Sequence, residues 1–198
     1  MNVGNRIRQA RVSAGMSVQN VSATVGVSRN AVYKWERGED VPRQSIIIKL
    51  ARLFDVDTDF FFREVYVTMC TPAYRRKASL AKKAQDCVEA RIALELEKQL
   101  FVDSLFPERE FPQFSAGSYR VWSLSDVENA ADQLRTSWGL GLDPIGSVIS
   151  AVEEHGVRVV VIDGVEGFDG FSCLANESIP VIAISAGMPG DRQRFTLA

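Results

Sequence analysis

Gly15 and Gly26 cut residues 2–36 into three pieces, each too short to hold a helix by itself in water. Within each piece apolar residues recur at helical spacing: Ile7, Ala10 and Ala14, then Val18, Val21 and Val25, then Val32 and Trp35. Three short helices with one apolar stripe apiece must pack on one another. Arg6, Arg8 and Arg11 fall on the other faces of the first. Ser17 and Ser28 stand where a side-chain oxygen caps the second and third helices. Gly15 ends the first helix with a left-handed residue, Gly26 breaks the second, and Val27 follows as a buried plug.

The second and third helices, joined by the tight turn at Gly26, form a helix-turn-helix, with Arg29, Asn30, Tyr33 and Lys34 outward on the third. A helix fits the major groove of DNA, where its first exposed side chains reach base edges. Arginine forks onto guanine O6 and N7, and asparagine onto adenine N6 and N7. Gln19, at the start of the second helix, is placed for a phosphate contact that fixes register. Arg37 and Arg43 flank the following loop and are expected on phosphates, Lys34 on a base or a phosphate, and Trp35 in the core.

The stretch Ser17-Val-Gln-Asn-Val-Ser-Ala-Thr-Val-Gly-Val-Ser-Arg-Asn-Ala-Val-Tyr-Lys-Trp-Glu-Arg-Gly38 resembles the phage-repressor-like (Xre-type) helix-turn-helix family nearly position for position. The glutamine at the second helix start, Ala23, the Gly-Val-Ser turn and the Lys-Trp-Glu-Arg-Gly ending carry the likeness. It implies a five-helix domain over 1–65. Pro42 would open the fourth helix through Ile46, Ile47, Leu50, Ala51 and Leu53; Thr58 would cap a short fifth through 60–62. The resemblance further implies a repressor-like transcription regulator that binds double-stranded operator DNA as a homodimer on two half-sites, Gln19, Ser28, Arg29, Asn30, Tyr33, Lys34, Arg37 and Arg43 forming the DNA-binding set.

Charge distribution agrees with that partner. The net charge of −2 averages over a basic residues 1–83, with 15 Lys+Arg against 7 Asp+Glu, and an acidic 84–198, with 8 against 18. No apolar run approaches the roughly 20 residues of a membrane span, and the N-terminus has no signal-peptide core. Cys70, Cys87 and Cys173 form no Cys-x-x-Cys pair. A cytoplasmic protein without membrane contact or disulfide framework is expected.

Residues 66–117 read as a linker: 65–71 is β-prone, Pro72 marks a break, and from Tyr74 to about Phe106 no glycine or proline intervenes. Leu80, Ala84, Cys87, Val88, Ile92, Leu96, Leu100 and Leu105 recur at helical spacing, giving one long amphipathic helix that pairs with its copy or packs on the C-terminal part. Arg75, Arg76, Lys77, Lys82 and Lys83 lead it, and Pro107 and Pro112 end it.

The pattern changes after Ser118, and 118–198 reads as helices followed by a small sheet. Ser125-Asp-Val-Glu128 is a capping box for a helix through Ala131, Leu134 and Trp138; Asp143 and Pro144 open the next, through Ile145, Val148, Ile149 and Val152. Strands are expected at 157–162, 171–175 and 181–185. The fold class is thus mainly α with an α+β C-terminal part. His155, the one histidine, reads as a helix C-cap, and no catalytic or metal-binding set assembles from the residues alone.

Trp138-Gly-Leu-Gly-Leu-Asp-Pro-Ile145, His155-Gly-Val, Gly167-Phe-Asp-Gly-Phe171 and Gly190-Asp-Arg-Gln-Arg-Phe-Thr-Leu-Ala198 resemble the N-terminal part of the ImmA/IrrE-type metallopeptidase family. In that family the last segment runs into His-Glu-x-x-His, where two histidines hold zinc and the glutamate activates water. Here the sequence ends one residue before that motif, so the chain as given is expected to be no enzyme and to carry no cofactor. Zinc would belong only to a longer parent; the ending reads as a truncation or, less in keeping with its abruptness, as a natural chain that kept the fold and lost the active site. The leading expectation is a DNA-binding regulator with a C-terminal sensing or regulatory module. The alternatives are a truncated zinc metallopeptidase acting on a repressor or antitoxin, and an antitoxin-like protein-interaction module; a protein partner or small ligand at the C-terminal part is left open.

Overall fold

A computed structural model describes residues 3–64, 67–69, 73–76 (backbone), 80–108, 110–114 and 120–197. The β-prone stretch 65–71, Pro72, Ser118, Cys70, Lys77 and Ala198 lie wholly or partly outside the described residues, as does Asn2 at the start of the first expected helix.

The N-terminal part holds α1 (Val3–Ser13), α2 (Val18–Val25), α3 (Arg29–Glu36), α4 (Gln44–Phe54) and a 3-10 helix (Thr58–Phe62). Their stripes meet in one core of Ile7, Val21, Val32, Trp35, Ile47, Leu50 and Phe61. The Ser17 hydroxyl accepts the Asn20 N–H at 3.1 Å and the Ser28 hydroxyl accepts the Ala31 N–H at 3.2 Å, each satisfying a donor the helix leaves open. Gly26, at φ +80°, lets its N–H reach the Ser22 carbonyl and turns the chain between α2 and α3.

Three local expectations shift. Arg43 keeps an extended backbone (ψ 154°), so α4 starts two residues after Pro42. Thr58 is the first residue of the last turn, not its cap; Asp57 holds the cap position without a side-chain bond. Arg6 is the largest departure, because it is 1% exposed. Its Nε donates to the Arg63 carbonyl at 3.0 Å, its Nη1 to Gln9 at 2.8 Å and to Glu97 at 2.6 Å, and its Nη2 to the Glu64 carbonyl. Its guanidinium also lies 5.0 Å from the centre of the Phe60 ring. A buried arginine needs that many partners to offset lost hydration.

Beyond residue 64 the elements are β1 (Ala73–Arg76), α5 (Lys82–Ser104), α6 (Leu124–Ser137), α7 (Val148–Glu154), β2 (Arg158–Ile162), β3 (Phe168–Ala175), β4 (Ile179–Ser185) and α8 (Gly190–Leu197). The strands form one sheet in the order β1-β3-β4-β2, with β2 parallel to β4 and the other pairs antiparallel. Alternate residues of β2 and β4 face opposite layers. Val160, Ile162, Val181 and Ala183 pack with Val88, Ile92 and Leu96 of α5, whereas Val159, Ile182 and Ile184 pack with Val152 of α7 and Leu197 of α8. Burial on both faces explains why these strands read as unbroken apolar runs.

Strand β1 occupies residues expected to be helical, and α5 begins at Lys82 rather than near Tyr74. Tyr74 pairs with Phe171, a partner far along the chain that no local periodicity reveals. The capping box sits two residues earlier than expected, on Ser123 and Asp126. Ser147, not Asp143, caps α7, because Arg135 holds the Gly141 and Asp143 carbonyls at 2.8 and 2.7 Å and fixes that turn outside the helix. Helix α6 buries no residue, and Trp122 and Leu124 at its start are 88% and 87% exposed. The whole is a helical part containing a helix-turn-helix, joined to a mixed α/β part. Among the described residues no helix is long and apolar enough to cross a membrane.

Candidate nucleic-acid interface

Helix α3 turns Val32 and Trp35 inward and leaves Arg29, Asn30, Tyr33 and Lys34 exposed. Positions i, i+1, i+4 and i+5 share one side of a helix, so these four make a single row. The Ser28 cap fixes where the row begins. Gln19, second residue of α2, is exposed beside it. Arg37 closes α3, its Nε 3.3 Å from the Tyr33 carbonyl and 3.2 Å from Glu39, where a cation complements the helix dipole. Arg43 is exposed at the cap position of α4.

Gln19, Arg29 and Tyr33 meet in a cleft of about 520 Å³ that also takes in Arg8, Arg11, Lys83 and Asp86. Ser28, Asn30, Lys34, Arg37 and Arg43 do not line it. Three of its cations differ sharply in what holds them. Arg11 forks onto Glu36 at 2.5 and 2.9 Å and donates to the Met16 carbonyl at 3.0 Å, so it is a structural tie between α1 and α3. Arg8 and Lys83 are exposed and, among the described residues, have no carboxylate partner. Neither belongs to the set expected from sequence. Arg8 was legible only as a cation on the first helix, and Lys83 only as part of the basic lead of the long one.

Asp86 accepts from Lys82 Nζ at 2.8 Å, a bond that holds the Lys82 ammonium above its ordinary value. His155 closes α7 as expected: its Nδ1 lies 2.7 Å from the Ala151 carbonyl, and its ring stacks on Trp138 at 4.3 Å.

Residues 7–61 match the family model described as Helix-turn-helix. The N-terminal part is therefore a helix-turn-helix domain. Over 60 residues the chain is 32% identical to the SPbeta prophage-derived uncharacterized HTH-type transcriptional regulator YonR of Bacillus subtilis (strain 168), which covers 30% of this chain. The chain spans 56% of the length of that curated relative. Similar solved structures include the P22 c2 repressor protein in complex with synthetic operator 9T, at 28% identity, TM-score 0.30, covering 31% of this chain and 92% of that one. The restriction-modification controller protein C.AhdI from Aeromonas hydrophila is 30% identical at TM-score 0.30, with the same coverage of 31% and 92%.

Proposed function

We infer that this chain is a sequence-specific DNA-binding transcription regulator that reads the major groove with α3. The observation that carries the reading is the row on α3: Arg29 and Asn30 exposed at the first turn, fixed by the Ser28 cap, with Gln19 of α2 alongside. In this reading Arg29 and Asn30 meet base edges. Tyr33 and Lys34 follow along the groove, and Gln19, Ser28, Arg37 and Arg43 meet backbone and phosphates. A helix of 8 residues reads few base pairs, so the chain binds as a homodimer on half-sites about one helical turn apart. The chain acts by binding, with no catalytic step and no cofactor.

The test is a shift assay on the DNA upstream of the chain's own gene, run over a salt series. Arg29→Ala should lower discrimination between selected and unselected duplexes by about 1–3 kcal/mol while leaving nonspecific binding in place. Equal weakening on all sequences would remove Arg29 from base reading, and the absence of salt-sensitive binding would overturn the function.

The C-terminal part serves in this reading as a sensing or regulatory module with an ImmA/IrrE-like framework. Supporting this, two of the segments that carry that resemblance meet: Arg194 donates to the Ile145 and Gly146 carbonyls at 2.7 and 3.0 Å. This reading assigns no zinc to the chain; among the described residues no three His, Cys, Asp or Glu side chains gather in one place. A zinc titration that raised the melting midpoint of this chain would contradict that part of the reading.

A further inference from the structure

Lys83, Cys87 and Arg91 lie four residues apart along α5 and so share one face of that helix. Two of the three touch α1: Cys87 Sγ donates to the Ser13 carbonyl at 3.3 Å, and Arg91 Nε donates to the same oxygen at 2.8 Å. The Arg6–Glu97 pair at 2.6 Å repeats the contact two turns further on. That row aims Lys83, one turn before Cys87, at the end of α1 and into the cleft that holds Gln19, Arg29 and Tyr33.

We propose that this cleft seats a phosphate of the DNA backbone, with Lys83 of α5 and Arg8 of α1 as its cations and Gln19 as its neutral donor. The proposal rests on the reading of α3 as the groove-reading helix. Both cations are exposed and lack a carboxylate among the described residues, whereas Arg11 in the same wall is engaged by Glu36. Asp86, the one acid in the lining, is held by Lys82 at 2.8 Å, which lessens its repulsion of an incoming phosphate. Arg8, Gln19, Arg29, Tyr33 and Lys83 in the lining are all exposed, so a strand laid across the surface can reach them. The sequence-specific row and the phosphate seat thus adjoin, but the seat is completed by a helix whose core belongs to the sheet.

The experiment uses the full chain, a duplex that the wild type selects from a random pool, and an unselected duplex, each titrated over a salt series. Lys83→Ala should weaken binding to both duplexes equally, by about 3- to 10-fold, and reduce the slope of log K against log salt by about one. Asp86→Asn should act in the opposite sense and tighten both. Lys98→Ala, at the far end of α5, should change neither. Wild-type affinity and slope in Lys83→Ala would overturn the seat while leaving the groove reading intact. Absence of salt-sensitive binding by the wild type would overturn the groove reading itself. A separate titration with inorganic pyrophosphate, without DNA, distinguishes a free phosphate ligand. Pyrophosphate binding lost in Lys83→Ala, with DNA binding unaltered, would overturn the DNA assignment.

Discussion

At the scale of single residues, the two positions with the largest consequences are ones whose side chains, or lack of one, meet backbone. Arg6 gives its protons to two carbonyls, an amide and Glu97, so removing Glu97 leaves a buried guanidinium short of its counter-charge. Glu97→Ala should cost about 3 kcal/mol or more in denaturant unfolding, and pairing it with Arg6→Met should recover much of that loss. Gly4 sits where α1 crosses the end of α3, and a Cβ there would lie 2.2 Å from the Trp35 carbonyl oxygen. Gly4→Ala therefore forces the two helices apart and should destabilise by about 1–3 kcal/mol, read as a lower thermal midpoint. Because Trp35 is next to the last residue of α3, the same variant should also disturb the row that begins at Arg29.

At the scale of elements, what the sequence revealed depended on how near the deciding partner lies. Ser17, Ser28 and Gly26 act on residues within three or four positions, and so α2, α3 and the outward row on α3 were legible in full. The capping box of α6 slipped by two because Ser123 and Ser125 both precede an acid at the right distance, and only the folded chain decides between them. Strand β1 was invisible for another reason: its partner β3 lies almost a hundred residues away, and its own four residues carry no alternation to announce a strand. Lys83 belongs with β1, since its place at the interface depends on α5 docking against α1. Helix α6 also carries a pH signature. Asp126 accepts the Trp122 N–H, the Ser123 hydroxyl and the Ser123 N–H, and these bonds hold its carboxyl below the ordinary value. A depressed folded value means the contribution is complete above about pH 4 and fades as pH falls through the lower folded value. Acid should fray the start of α6, seen as faster amide exchange at Trp122 and Ser123, and Asp126→Asn should flatten that dependence.

At the scale of the whole molecule, α5 is shared property. Its Val88, Ile92 and Leu96 fill the core beneath the sheet, while Glu97 bonds to Arg6 of α1 and Cys87 and Arg91 bond to Ser13 at its end. Arg91 reaches both ways, donating to Ser13 of the N-terminal part and, at 2.7 Å, to the Asp163 carbonyl beside β2. Leu96, fully buried, should cost about 2–5 kcal/mol on truncation to alanine. Amide exchange should then rise in α1 as well as in β2 and β4; a rise confined to the sheet would show that the two cores open independently. With 23 residues, α5 is a rod about 35 Å long, tied to α1 from Cys87 to Glu97 and packed over the same stretch against the sheet. Such a rod is a lever arm: a tilt of about 5° about the Cys87 contact carries the Ser104 end, about 25 Å away, through about 2 Å.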